Sequence, residues 1–133
     1  MVFNMKLRLK NNSVRLRLTQ SEVARFSETG QIQEVIDFGG EPHKQFIYAL
    51  ERRAEIEEIQ SHIANNHITI FVPEQIADEW TKTRKVGIEN VQAIGDGKTL
   101  RLLIEKDFAC LEPRQDEDEQ DAFPHPSAEK VYC

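Results

Sequence analysis

Cysteine is scarce here: Cys110 and Cys133 are the only two in 133 residues. Two thiols cannot form the disulfide framework of a small secreted domain, and a reducing cytosol opposes a permanent bridge. They read as ordinary thiols, as a pair that oxidises on purification, or as parts of a shared metal site. No apolar run approaches the ~20 residues needed to cross a bilayer. The opening Met1-Val2-Phe3-Asn4-Met5-Lys6 lacks the apolar stretch and small-residue cleavage site of a signal peptide. A soluble, cytoplasmic protein with no membrane partner is expected. Also missing are a P-loop and a GxGxxG turn. None of Ser13, Ser21, Ser27, Ser61 and Ser127 stands in a nucleophile-elbow sequence. These absences nominate no catalytic residue and no cofactor, and the balance tips away from an enzyme.

The chain is long enough to bury about two thirds of its unfolded surface as one domain. Its 39% hydrophobic and 30% charged residues are ordinary for a globular chain. The formal net charge of −6 hides an uneven distribution. Residues 1–25 carry Lys6, Arg8, Lys10, Arg15, Arg17 and Arg25 against Glu22 alone, whereas residues 105–133 carry nine acids against Lys106, Arg114 and Lys130. Such a split suggests that the two ends meet, or that the basic end meets another anion. A net-acidic chain argues against nucleic acid as the partner.

Lys6-Leu7-Arg8-Leu9-Lys10 and Val14-Arg15-Leu16-Arg17-Leu18 alternate apolar and basic residues around a turn at Asn11-Asn12-Ser13. This is a hairpin with Leu7, Leu9, Val14, Leu16 and Leu18 towards the core. Thr19-Gln20-Ser21-Glu22 is a capping box that opens a helix, with Leu18 and Val23 at staple positions, Phe26 inward and Gly30 as the stop. Strands are expected at 31–38, 45–50, 67–72, 86–94 and 100–104. Turns lie at 39–42, at Asn65-Asn66 and at 95–97. Residues 52–64 fit either period, and a strand is favoured for their second part. Pro73 is expected at the first position of a second helix, with Ile76, Ala77 and Trp80 on its apolar side.

A strand, a helix and a strand recur at 14–38 and 67–94. Glu22 then matches Gln75, and Val23-Ala24 matches Ile76-Ala77, but the apolar phase of the leading strands differs by one residue. The expected fold is α+β, with six to eight mostly antiparallel strands in a curled or barrel-like sheet and two short helices at 19–29 and 73–83. The domain spans 1–111. The remainder, 112–133, is an acidic tail broken by Pro124 and Pro126, with Phe123 and Tyr132 as possible anchors.

The main candidate site is the polar side of the first hairpin, where Lys6, Arg8, Lys10, Arg15 and Arg17 could cradle a phosphate or carboxylate. The alternatives are a solvated sheet face that deters edge pairing, or a dock for the chain's own acidic tail. Cys110, His125 and Cys133 are weak zinc candidates, without CxxC or HxxxH spacing. His62 and His67 flank a turn and could meet across it. The acidic run lacks the spacing of a calcium loop. Two functions follow: a non-enzymatic binding or interaction module, or an enzyme or carrier for a small phosphorylated metabolite. Partners are a protein or a small anion, and a homodimer could form through Trp80 or a strand edge.

Lys6-Leu7-Arg8, residues 12–19, Glu22-Val23 and Leu103-Ile104-Glu105-Lys106-Asp107-Phe108-Ala109-Cys110 together resemble a small family of uncharacterised bacterial proteins of this length. The resemblance spans nearly the whole chain, including Asp121-Ala122-Phe123-Pro124. It implies a bacterial domain of unknown function and transfers no catalytic residue. Triphosphate-tunnel proteins, which open on a Glu-x-Glu-x-Lys strand, differ here, because the first strand is Lys6-Leu7-Arg8-Leu9-Lys10.

Overall fold

The computed structural model describes residues 4–108 and Phe123. The alternating segments form β1 (Lys6–Lys10) and β2 (Ser13–Leu18), joined by a tight turn in which Asn11 and Asn12 both have positive φ. Asparagine tolerates that region better than other non-glycine residues. The capping box starts α1 (Gln20–Thr29), and Gly30 ends it in the left-handed conformation at φ 77°. Next come β3 (Gln31–Asp37), a short 3₁₀ turn at Pro42–Lys44, β4 (Gln45–Arg53), β5 (Gln60–Ala64) and β6 (His67–Pro73). Then α2 (Glu74–Lys82), β7 (Gly87–Gly95) and β8 (Lys98–Lys106) complete the described chain. Pro73 is the N-cap of α2, one position earlier than the sequence suggests.

The strands form two four-stranded sheets, β1-β2-β8-β7 and β3-β4-β6-β5. The α+β class and the two helices are as expected, but neither sheet is a barrel. Each is mixed, with a parallel pair at its centre, β2 with β8 and β4 with β6, flanked by antiparallel hairpins. Parallel partners must come from segments far apart in sequence, which hides them from a local pattern.

The topology has an internal two-fold relation. β5 through α2 repeat β1 through α1 at a constant shift of 54 residues (Lys6 to Gln60, Ser13 to His67, Gln20 to Glu74). Exchanging the halves exchanges the sheets, so each sheet takes one hairpin from each half. Both Asn-Asn turns have positive φ. With Pro73 as N-cap, Thr19 aligns with Pro73, Leu18 with Val72 and Phe26 with Trp80. The one-residue phase conflict then disappears.

The inner faces share one core. Val14, Leu16, Leu18, Leu102 and Ile104 come from the first sheet, and Tyr48, Leu50, Ile68, Ile70 and Val72 from the second. Burying each large aliphatic side chain contributes about 1.5–3 kcal/mol. Phe26 and Trp80 close this core from the helices, edge to face at 6.3 Å between ring centroids. Trp80 is fully buried and cannot form a dimer surface. Leu9 (57% exposed) and Ile63 (70%) lie at equivalent outer positions, so Leu9 is not the core residue its alternation suggests.

The equivalence extends to the edges. Met5 and Ile59 are both buried just before their strands. Glu34 Oε2 accepts from the Met5 amide at 3.0 Å, while Asn90 Nδ2 donates to the Ile59 carbonyl at 2.9 Å. Among the described residues, no helix is long and apolar enough to cross a membrane.

Candidate anion-binding face

Period-2 alternation turns Leu7, Val14, Leu16 and Leu18 inward, so the intervening residues of β1 and β2 share the outer face. The hairpin register sets Lys6 opposite Arg17, Arg8 opposite Arg15 and Lys10 opposite Ser13. All five predicted cations are thus brought together. The parallel pairing then places Ser13 beside Arg101, Arg15 beside Leu103 and Arg17 beside Glu105. Arg101 therefore joins the face, although it is not among the cations that the hairpin alternation nominates. Its alternation with Leu102 was a legible sign of an outward position, but its sheet partner was not.

Among the described residues, two shallow depressions open on this face. One, of about 430 Å³, is lined by Arg8, Lys10, Asn11, Ser13, Arg15 and Arg101, with Leu103 and Glu105. The other, of about 340 Å³, is lined by Lys6, Leu7, Arg8, Arg15 and Arg17. Arg8 and Arg15 belong to both. Glu105 sits between Arg15 (2.6 Å) and Arg17 (3.6 Å). Lys6 pairs with Asp107 at 3.0 Å, and Arg101 with Glu89 at 2.9 Å. The Ser13 hydroxyl donates to the Lys10 carbonyl.

The second half supplies an internal comparison. Applying the 54-residue shift, the positions of Lys6, Arg8, Lys10, Arg15, Arg17 and Arg101 are taken by Gln60, His62, Ala64, Thr69, Phe71 and Ile47. Only Glu51, the counterpart of Glu105, keeps its charge type. The fold therefore forms the same edge hairpin without a cationic face.

A larger groove of about 880 Å³ lies beside α1, with Leu18, Val23, Ala24 and Phe108 among the residues lining it. A separate polar cluster holds the entry to β1. Glu22 is fully buried and accepts from the amides of Thr19 (2.8 Å) and Asn4. Tyr48 donates its hydroxyl to the Met5 carbonyl at 2.6 Å. Burial raises the Glu34 carboxyl above its usual range. The Met5 amide opposes that rise, and the negative charge of Glu22 adds to it. Burial likewise raises the Tyr48 phenol, helped by Glu34 and Glu22.

His62 and His67 lie on neighbouring strands but out of register, since His62 faces Thr69 and Ala64 faces His67. His67 Nε2 is buried without a hydrogen-bond partner. No group of three or more His, Cys, Asp or Glu side chains is placed to hold a metal among the described residues. Cys110, His125 and Cys133 lie outside the described residues, as does the acidic tail apart from Phe123, which is exposed.

No curated protein and no solved structure matches the chain. The resemblance to an uncharacterised family does hold: residues 5–127 match the family of unknown function DUF7009, and the chain belongs to that family.

Proposed function

We propose that this protein is a non-enzymatic binding module that holds an anionic ligand or partner on the outer face of β1, β2 and β8. The observation that carries this reading is the pair of like-charged cross-strand contacts, Lys6 opposite Arg17 and Arg8 opposite Arg15. Like charges directly opposite each other destabilise a sheet. At the equivalent positions Gln60 faces Phe71 and His62 faces Thr69, so the fold does not require that cost. Edge protection alone is a weaker explanation, because β5 occupies the matching edge without any lysine or arginine.

The chemistry of the lining favours binding over catalysis. Arginine forks and a lysine present many donors to carboxylate or phosphate oxygens. Glu105, the one carboxylate among the described residues lining the larger depression, is engaged by Arg15 and Arg17, and Ser13 is turned to the Lys10 carbonyl. The acidic run at 112–121 is a competitor built into the same chain.

Thermal unfolding with and without a panel of phosphorylated and carboxylated compounds tests the proposal. A ligand of the native state at a hundred times its dissociation constant adds about 2.7 kcal/mol of stability. The midpoint is expected to rise with an anion, to fall back as salt is added, and to lose its response in Arg15→Ala. Removal of residues 112–133 is expected to tighten the same binding. No response to any anion, with Arg15→Ala indistinguishable from the parent, would refute the module.

A further inference from the structure

The face has two depressions, and each has its own cations. Lys10 and Arg101 belong to one, Lys6 and Arg17 to the other, and the Arg8–Arg15 cross-strand pair forms the ridge they share. Resting on the function proposed above, we infer that the ligand is a small molecule with two phosphoryl groups held apart by a spacer, one group in each depression.

The spacing comes from the strand. The β1 residues lining one depression are Arg8 and Lys10, and those lining the other include Lys6 and Arg8. The two sets are displaced by two residues, or roughly 7 Å at the rise of an antiparallel strand. A single phosphate cannot occupy both places.

The charge argues for phosphoryl groups over carboxylates. Six cations, Lys6, Arg8, Lys10, Arg15, Arg17 and Arg101, line the two depressions, and among the described lining residues Glu105 is the one acid. Two carboxylates bring two negative charges to this surface. Two phosphoryl groups bring about 1.5 to 2 each at neutral pH, and each adds three acceptor oxygens for the guanidinium forks. Glu105 remains between Arg15 and Arg17 as a fixed internal anion that orients both. Such a ligand binds through two linked contacts, so its affinity exceeds that of either group alone without any further contact.

The test uses calorimetric titration of the full-length protein at fixed ionic strength. The probes are orthophosphate, pyrophosphate, a hexose 1,6-bisphosphate and an acidic peptide. The bisphosphate is expected to bind at least about a hundredfold more tightly than orthophosphate. Lys10→Ala/Arg101→Ala and Lys6→Ala/Arg17→Ala should each reduce it to the orthophosphate level, with circular dichroism confirming that both variants fold. If one fails to fold, the ranking of probes on the unaltered protein still decides. Orthophosphate or pyrophosphate binding as tightly as the bisphosphate overturns the two-group ligand while leaving the anion-binding face intact. Tightest binding by the acidic peptide overturns the small molecule in favour of a protein partner. If none of the four probes binds, both the inference and the function it rests on fall.

Discussion

Glu22 shows how much one residue's surroundings add to its sequence signal. The capping box is legible in Thr19-Gln20-Ser21-Glu22, and the structure forms it. The second task of the same carboxylate, accepting from the Asn4 amide, depends on where a segment 18 residues earlier passes. No local pattern carries that information. Glu34 was legible only as one position in a strand, yet it lies near Glu22 and accepts from Met5. Its carboxyl is raised in the folded state, so its contribution is fully present below the ordinary carboxylate range and is lost as pH rises through the raised value. Glu34→Gln keeps a carbonyl for the Met5 amide and removes the charge. The variant should be more stable than the parent at pH 7, with the gap closing as pH falls through the raised value and closed below about 4.5. Unfolding midpoints across that range check it, and a gap that widens on acidification contradicts the assignment.

Among the elements, the hairpins and helix starts were the most legible because their signals are short-range. Asn11-Asn12 and Asn65-Asn66 both supply the two positive-φ residues that a two-residue hairpin turn demands. Residues 52–64 were harder, since β4 runs on to Arg53 and the buried Ile59 lies outside any strand. Both helices receive a cation at their C-terminal end from a strand of their own half: Arg52 donates to the Ser27 carbonyl (3.1 Å) and Lys106 to that of Thr83 (2.6 Å). Such caps favour the helix dipole. Where the helices meet, Phe26 has no route to solvent. Phe26→Ala should cost about 3–5 kcal/mol, since it removes the ring contact with Trp80 and leaves a cavity. Chemical denaturation checks that figure, and a loss below about 1 kcal/mol would mean that α2 collapses into the space.

For the whole molecule, the sequence showed the repeat but not its consequence for assembly. The two helix registers agree only with Pro73 before α2 as its N-cap, and a Pro73 inside the helix shifts them by one residue. The central parallel pairs join β2 to β8 and β4 to β6, so neither half contains a complete sheet. Fragments 1–56 and 57–133 should therefore each lack the native strand signal alone and regain it on mixing. Circular dichroism of the separate and combined fragments checks this, and a half that folds as a monomer contradicts it. The cationic face was readable as an alternation on β1 and β2. Its enlargement by Arg101 was not, because that neighbour arrives from near the end of the described chain.

The two-fold relation also bears on what this surface is free to become. Two identical separate chains in the same arrangement would present the same face twice. They would carry the repulsion of Lys6 against Arg17 and Arg8 against Arg15 on both sheets. Covalent joining lifts that constraint. One sheet can become cationic while its counterpart keeps Gln60, His62, Thr69 and Phe71, which do not share the burden. A single chain thus separates two roles that symmetry would force to be equal: one hairpin pair is open to specialise for a ligand, and the other holds the scaffold.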